Sequence, residues 1–157
     1  MNTVLIATDG SPAAEAAVEA AMRLAAEQGA KAVVLHVVEA TDVRWPHRRG
    51  PVEATPHAVD DPRDDDALRR AAAVAREHRV PYELKLVSGL EVDTILQTAD
   101  DVEAELVAIG SSRHRAAVRA ILGSVAGELL RRSARPLLVV HPVDQSEGGG
   151  NQTAAST

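Results

Sequence analysis

Two short segments of this chain carry residue types that could hold an anion. The first is Thr8-Asp9-Gly10-Ser11, directly after the apolar run Val4-Leu5-Ile6-Ala7. The second is Gly110-Ser111-Ser112-Arg113-His114-Arg115, followed after an apolar stretch by Gly123-Ser124-Val125. Glycines let a backbone approach phosphate oxygens, and the N–H groups at a helix start present partial positive charge to them. The same glycines also read without a ligand: Gly110 can end a strand and Gly123 can open a helix. Two familiar phosphate loops are excluded, since there is no G-x-x-x-x-G-K-[ST] and no G-x-G-x-x-G after the first apolar run. The serine- and glycine-rich loop of ATP-pyrophosphatases is missing from that place as well. No Ser-His-Asp or Cys-His arrangement supports nucleophilic catalysis.

These segments can act together only if the fold brings them to one place. Val4 to Ala7 is apolar on both faces, which suits a central parallel strand. Ser11 then reads as a helix N-cap with Pro12 at the first helical position. From Pro12 to Gln28, Val18, Met22 and Ala25 share one helical face and Glu15, Glu19, Arg23 and Glu27 the other, with Gly29 as the C-cap. The pattern recurs: strands over Ala32–Val38, Tyr82–Val87, Leu106–Ile109 and Pro136–Val140, and helices over 64–79, Glu91–Val102 and 122–133. Alternation of this kind predicts right-handed βαβ units. The expected architecture is α/β, an open five-stranded parallel sheet in a Rossmann-like three-layer sandwich. Its strand order should be 3-2-1-4-5. Ligands of such sheets bind outside the carboxyl ends of the strands, where neighbouring connections diverge. That is where both segments fall.

Composition narrows the function classes. The chain has 157 residues, the size of one domain, with 45% hydrophobic and 25% charged residues. It has no Phe, one Trp and one Tyr, so the core must be aliphatic. Seventeen basic against twenty-three acidic residues give a net charge of −6, which argues against nucleic-acid binding. Zero cysteines exclude disulfides and thiolate chemistry. No apolar run approaches a membrane span and no signal peptide is evident, so a cytoplasmic protein is expected. The six histidines lack metal-ligand spacing; His36, inside a strand, reads as a hydrogen-bonded core residue. Asp60, Asp61, Asp64, Asp65 and Asp66 bracket a helix start, where acids favour the dipole. Residues 1–142 read as a single domain. Within it, 39–63 carry four of the eight prolines and form a long, aperiodic connection. Residues 143–157, with three consecutive glycines, read as a disordered tail.

Four stretches together resemble the universal stress proteins. They are Ala7-Thr8-Asp9-Gly10-Ser11, Leu35-His36-Val37-Val38, Gly110 through Ser124, and Ser133-Ala134-Arg135-Pro136-Leu137-Leu138-Val139-Val140. The resemblance spans residues 3 to 141. ATP-binding members of that family carry glycine, two residues, glycine, nine residues, then glycine followed by Ser or Thr. Gly110 and Gly123-Ser124 stand at that separation.

The resemblance implies ATP held with Mg²⁺. Asp9 would lie near the ribose or the phosphate-bound metal, and Val37 would offer backbone groups to adenine. Gly110, Gly123, Ser124 and Val125 would line the triphosphate, with Thr8, Ser112 and Arg113 completing the nucleotide-binding set. Arg113 departs from the pattern, standing where the middle glycine belongs. An arginine there either fills the space of a phosphate or replaces backbone contacts with a bidentate guanidinium. The expected function is a stress-response module that binds ATP and signals through its dimer or its partners, and is not an enzyme. The alternative is an interaction protein of the same fold whose pocket takes no nucleotide. A slow hydrolase would lack a general base other than Asp9. Finally, Leu137, Leu138, Val139 and Val140 form an apolar strand expected at a sheet edge. Edges of this kind are covered or paired, which predicts a homodimer through the fifth strand.

Overall fold

The computed structural model describes residues 1–38, 57–58, 61–111 and 123–142. Its elements in chain order are β1 (Thr3–Ala7), α1 (Pro12–Gln28), β2 (Lys31–Val38), β3 (His57–Ala58), α2 (Asp66–Glu77), β4 (Tyr82–Ser88), α3 (Glu91–Asp101), β5 (Leu106–Gly110), α4 (Ser124–Arg132) and β6 (Leu137–Val140). The sheet order is β3-β4-β2-β1-β5-β6. The five parallel strands therefore run β4-β2-β1-β5-β6, the order expected from the alternation. The addition is β3, two residues pairing antiparallel with Val87 and Ser88 at the edge of β4. A bridge this short carries no periodicity, so nothing in the sequence announces it.

β1 lies at the centre because both of its faces are covered. Val4 and Ile6 join the core beneath α1 and α2, whereas Leu5 joins the core beneath α3 and α4; all three are fully buried. The α1 face touching the sheet is mostly alanine (Ala14, Ala17, Ala21, Ala25) with Val18 and Met22. Small side chains let this helix run close over β1, β5 and β6.

The helix ends follow from side-chain chemistry. Ser11 Oγ accepts from Ala14 N–H at 3.3 Å and Gly29 closes α1 with φ 63°, both as the sequence indicates. α2 begins at Asp66, two residues later than the spacing predicts, because Asp65 caps it: Asp65 Oδ1 accepts from Leu68 N–H at 2.9 Å. The other oxygen of that carboxylate lies 2.9 Å from His36 Nδ1. His36 is thus the hydrogen-bonded residue its strand position suggests, and it ties β2 to the start of α2. Arg131 and Arg132 are exposed, whereas Arg135 is partly buried. Its Nε donates to Ala104 O at 2.7 Å and its guanidinium pairs with Asp100. The predicted tail, 143–157, and most of the 39–63 connection lie outside the described residues.

Candidate functional site

The loop after β1 is set by hydrogen bonds within four residues. Thr8 N–H donates to Leu35 O at 2.9 Å, holding the strand end against β2, and Thr8 Oγ1 accepts from Gly10 N–H at 3.2 Å. Asp9 Oδ1 accepts from Ser11 N–H at 2.9 Å, an Asx turn leading into α1. Gly10 makes the reversal at φ +74°, a backbone conformation in which a side chain is strained. Its carbonyl accepts from Arg70 Nη2 at 3.2 Å, so α2 also anchors the loop. Burial pushes the Asp9 carboxyl up. The hydrogen bonds from Ser11 and the turn backbone, aided by the nearby His36 charge, outweigh it and leave Asp9 below the usual carboxylate range.

β5 supplies the facing wall. A Cβ on Gly110 would overlap the backbone of Ala13 and Ala14, so the first turn of α1 seats against bare backbone. Gly110 therefore has a packing reason to be glycine whether or not a ligand binds. Gly123 has none of that kind: a Cβ there meets no described residue within 4 Å. Gly123 precedes α4, whose N-terminus has no side-chain cap among the described residues. The first N–H groups of a helix left in this way are donors awaiting an acceptor.

Between the two walls lies a cleft of about 640 Å³, counted out to its open mouth. Thr8, Asp9 and Ser11 line one side, Gly110 and Ser111 the floor, and Gly123, Ser124 and Val125 the other side. Ile95 and Glu91 of α3 complete it. Ser111 is 1% exposed, and its hydroxyl has no hydrogen-bond partner among the described residues. A buried hydroxyl left unpaired costs about 1–3 kcal/mol, and a ligand accepting from it relieves that cost. Hydroxyls, helix-start N–H groups with no side-chain cap among the described residues, and the carboxylates of Asp9 and Glu91 suit a phosphorylated ligand with its counter-cation. No group of three or more His, Asp or Glu able to hold a metal occurs among the described residues. Mg²⁺ here would take Asp9 as its protein carboxylate and the rest of its ligands from phosphate and water.

Residues 1–141 match the profile of the universal stress protein family. The chain belongs to that family. Universal stress protein Rv2005c of Mycobacterium tuberculosis is 32% identical over 144 residues, covering 90% of this chain and 48% of its own length. This chain thus spans about half the length of its mycobacterial relatives. Universal stress protein YxiE of Bacillus subtilis is 30% identical, with 88% of this chain and 98% of that protein covered. Among solved structures, a universal stress protein in complex with cAMP aligns with a TM-score of 0.66 at 26% identity, over 90% of this chain and 97% of that one. One from Burkholderia pseudomallei aligns with a TM-score of 0.59 at 26% identity, covering 90% and 96%.

The universal stress protein fold brings together Thr8, Asp9, Gly110, Gly123, Ser124 and Val125, six of the nine residues singled out in the sequence. Val37 is not among the cleft-lining residues. It lies one strand over, near the end of β2, paired with Val87 and packed against the core under α3 and α4. Ser112 and Arg113 lie outside the described residues. Sequence reasoning missed Ser111 as a floor residue and Glu91 and Ile95 as a wall. Ser111 sat inside a recognised motif, but its burial depends on β6, whose Val140 carbonyl accepts its N–H at 2.9 Å. The α3 wall crosses from another βα unit and has no local signal.

Proposed function

We propose that this universal stress protein binds ATP with Mg²⁺ in the cleft between the ends of β1 and β5. The observation that carries the reading is the convergence, on one cleft, of the ionised Asp9 with an α4 start that has no side-chain cap and a buried Ser111 hydroxyl that has no partner among the described residues. The triphosphate would meet Gly110, Ser111, Gly123, Ser124 and Val125, Asp9 would face the ribose or the metal, and the Val37 backbone would face adenine. The solved family structure in complex with cAMP supports a nucleotide as the ligand class. Asp9 is held by Ser11 and kept below the usual carboxylate range, so it is a poor proton acceptor. The reading is of binding without turnover, by a cytoplasmic stress-response module.

The bound state would be signalled through a homodimer. β6 pairs with β5 on one side and has no strand on the other among the described residues. Leu137, Leu138, Val139 and Val140 are all half-buried along that edge. A two-fold pairing of β6 with its copy would cover it.

A second reading rests on Arg113, which stands at the family's middle glycine: the pocket takes no nucleotide, and the protein acts through partners alone. Calorimetric titration of ATP with Mg²⁺ into the wild type and Arg113→Gly separates the two. Binding by the wild type supports the proposal, and comparable binding by both shows that the arginine is accommodated. Binding by the variant alone gives the second reading. Binding by neither removes both the nucleotide and the role assigned to the glycines.

A further inference from the structure

The turn that carries Asp9 is seated on α2. A Cβ on Gly10 would fall 2.6 Å from Arg70 Nη2 and 3.1 Å from the Ala67 Cβ. Ala67 and Arg70 are three residues apart on α2, so one helix face presents both. The bare backbone of Gly10 rests on that face. From it, Arg70 reaches two parts of the chain at once. Its Nε lies 2.6 Å from Oε1 of Glu15, in the first turn of α1, and its Nη2 donates to Gly10 O at 3.2 Å. One planar guanidinium thus bridges the turn and the helix that follows it.

The base from which Arg70 reaches is fixed. Leu68, Ala71 and Ala75 of α2 are buried in one core with Val18 and Met22 of α1. The start of α2 is held to β2 by Asp65 and His36. Within the turn, Gly10 N–H and Ser11 N–H donate to Thr8 Oγ1 and Asp9 Oδ1. Those bonds join residues of the turn to one another and move with it. Arg70 ties the turn to a separate, packed element.

Folding stability gives this arginine little to do. Its side chain is 52% exposed and that of Glu15 50%, and ion pairs so placed in water contribute little. Arg70 is also not among the residues lining the cleft. What it touches is the turn whose Thr8, Asp9 and Ser11 form one side of that cleft. A ligand's apparent affinity falls in proportion to the fraction of molecules in which its site is correctly placed. A group that holds the turn is therefore read out in binding and not in the melting temperature.

We propose that Arg70 is a positioning residue of the nucleotide cleft, holding the Asp9 turn in its binding geometry through Gly10 O and Glu15. This rests on the ATP reading above. Calorimetric titration of ATP with Mg²⁺ into the wild type, Arg70→Gln and Arg70→Lys tests it, together with backbone amide order parameters of the ligand-free proteins. Affinity falls about fivefold in Arg70→Gln and about as much in Arg70→Lys, while Tm stays within ~2 °C of the wild type. The order parameters drop from about 0.85 toward 0.6 at Asp9, Gly10 and Ser11 alone. Arg70→Lys keeps the charge but not the fork, so full affinity in that variant would show that only charge near the phosphates matters, which overturns the proposal. Unchanged affinity in Arg70→Gln, or a loss of order that spreads through α1 and α2, overturns it as well. A wild type that binds no ATP removes the nucleotide reading instead, and the order parameters then decide the holding role: a drop confined to the turn supports it and unchanged values overturn it.

Discussion

Replacing Gly110 by Ala places a methyl group where the backbone of Ala13 and Ala14 already lies. Both obstructing groups are main chain in the first turn of α1, so no rotamer change makes room. That turn is also held by the Ser11 cap and by Glu15 N–H donating to Ser11 O at 2.9 Å, so moving it disturbs the loop that carries Asp9. Overpacking typically costs about 1–3 kcal/mol, and a clash with backbone belongs near the top of that range. For a domain of this size each kcal/mol lowers Tm by about 2–4 °C, so Gly110→Ala should melt roughly 4–12 °C below the wild type. Gly123→Ala provides the contrast, because its Cβ meets no described residue and φ is an unstrained −54°. It should melt within ~2 °C of the wild type. Thermal melts followed by far-ultraviolet circular dichroism measure both. A Gly110→Ala protein that melts with the wild type would show that α1 does not need the bare strand end, and that glycine there serves only a ligand.

Asp65→Ala removes both the α2 cap and the partner of His36, and urea unfolding should show a loss of about 1–2 kcal/mol, whereas Asp65→Asn keeps a capping oxygen and most of that stability. Asp9 is below its ordinary value when folded, so the unfolded chain takes up its proton first. Its contribution to stability is present above the unfolded value of about 3.9 and is lost as pH falls through that value toward the folded one. Asp9→Asn should therefore flatten the acid side of the stability curve; equal slopes for both proteins below about pH 4 would contradict this. Val139→Lys puts a charge on the open β6 edge and should shift the protein toward monomer in sedimentation velocity. A wild type that is monomeric at tens of micromolar would refute the dimer.

The sheet order was readable because Val4–Ala7 and Ala32–Val38 are apolar on both faces and Ser11-Pro12 marks where the first strand gives way to a helix. Gly29 behaved as its position suggested, since an αL helix end is a local matter. What escaped detection was decided at long range. β3 is two residues held by β4. Asp65 is one of five nearby aspartates, and only its contact with His36, 29 residues away in sequence, distinguishes it. Gly110 looked like a phosphate glycine, and its packing against α1 depends on a helix about 100 residues earlier in the chain. A cleft does lie at the ends of the first and fourth predicted strands, but its α3 wall and its Ser111 floor needed the assembled fold.

Backbone amide chemical shifts recorded while ATP and Mg²⁺ are added to the isotope-labelled chain test the central claim most directly. The account predicts that the shifts change at Thr8 to Ser11, at Gly110 and Ser111, and at Gly123 to Val125. No perturbation at millimolar nucleotide, or perturbations centred outside the cleft between β1 and β5, would contradict it.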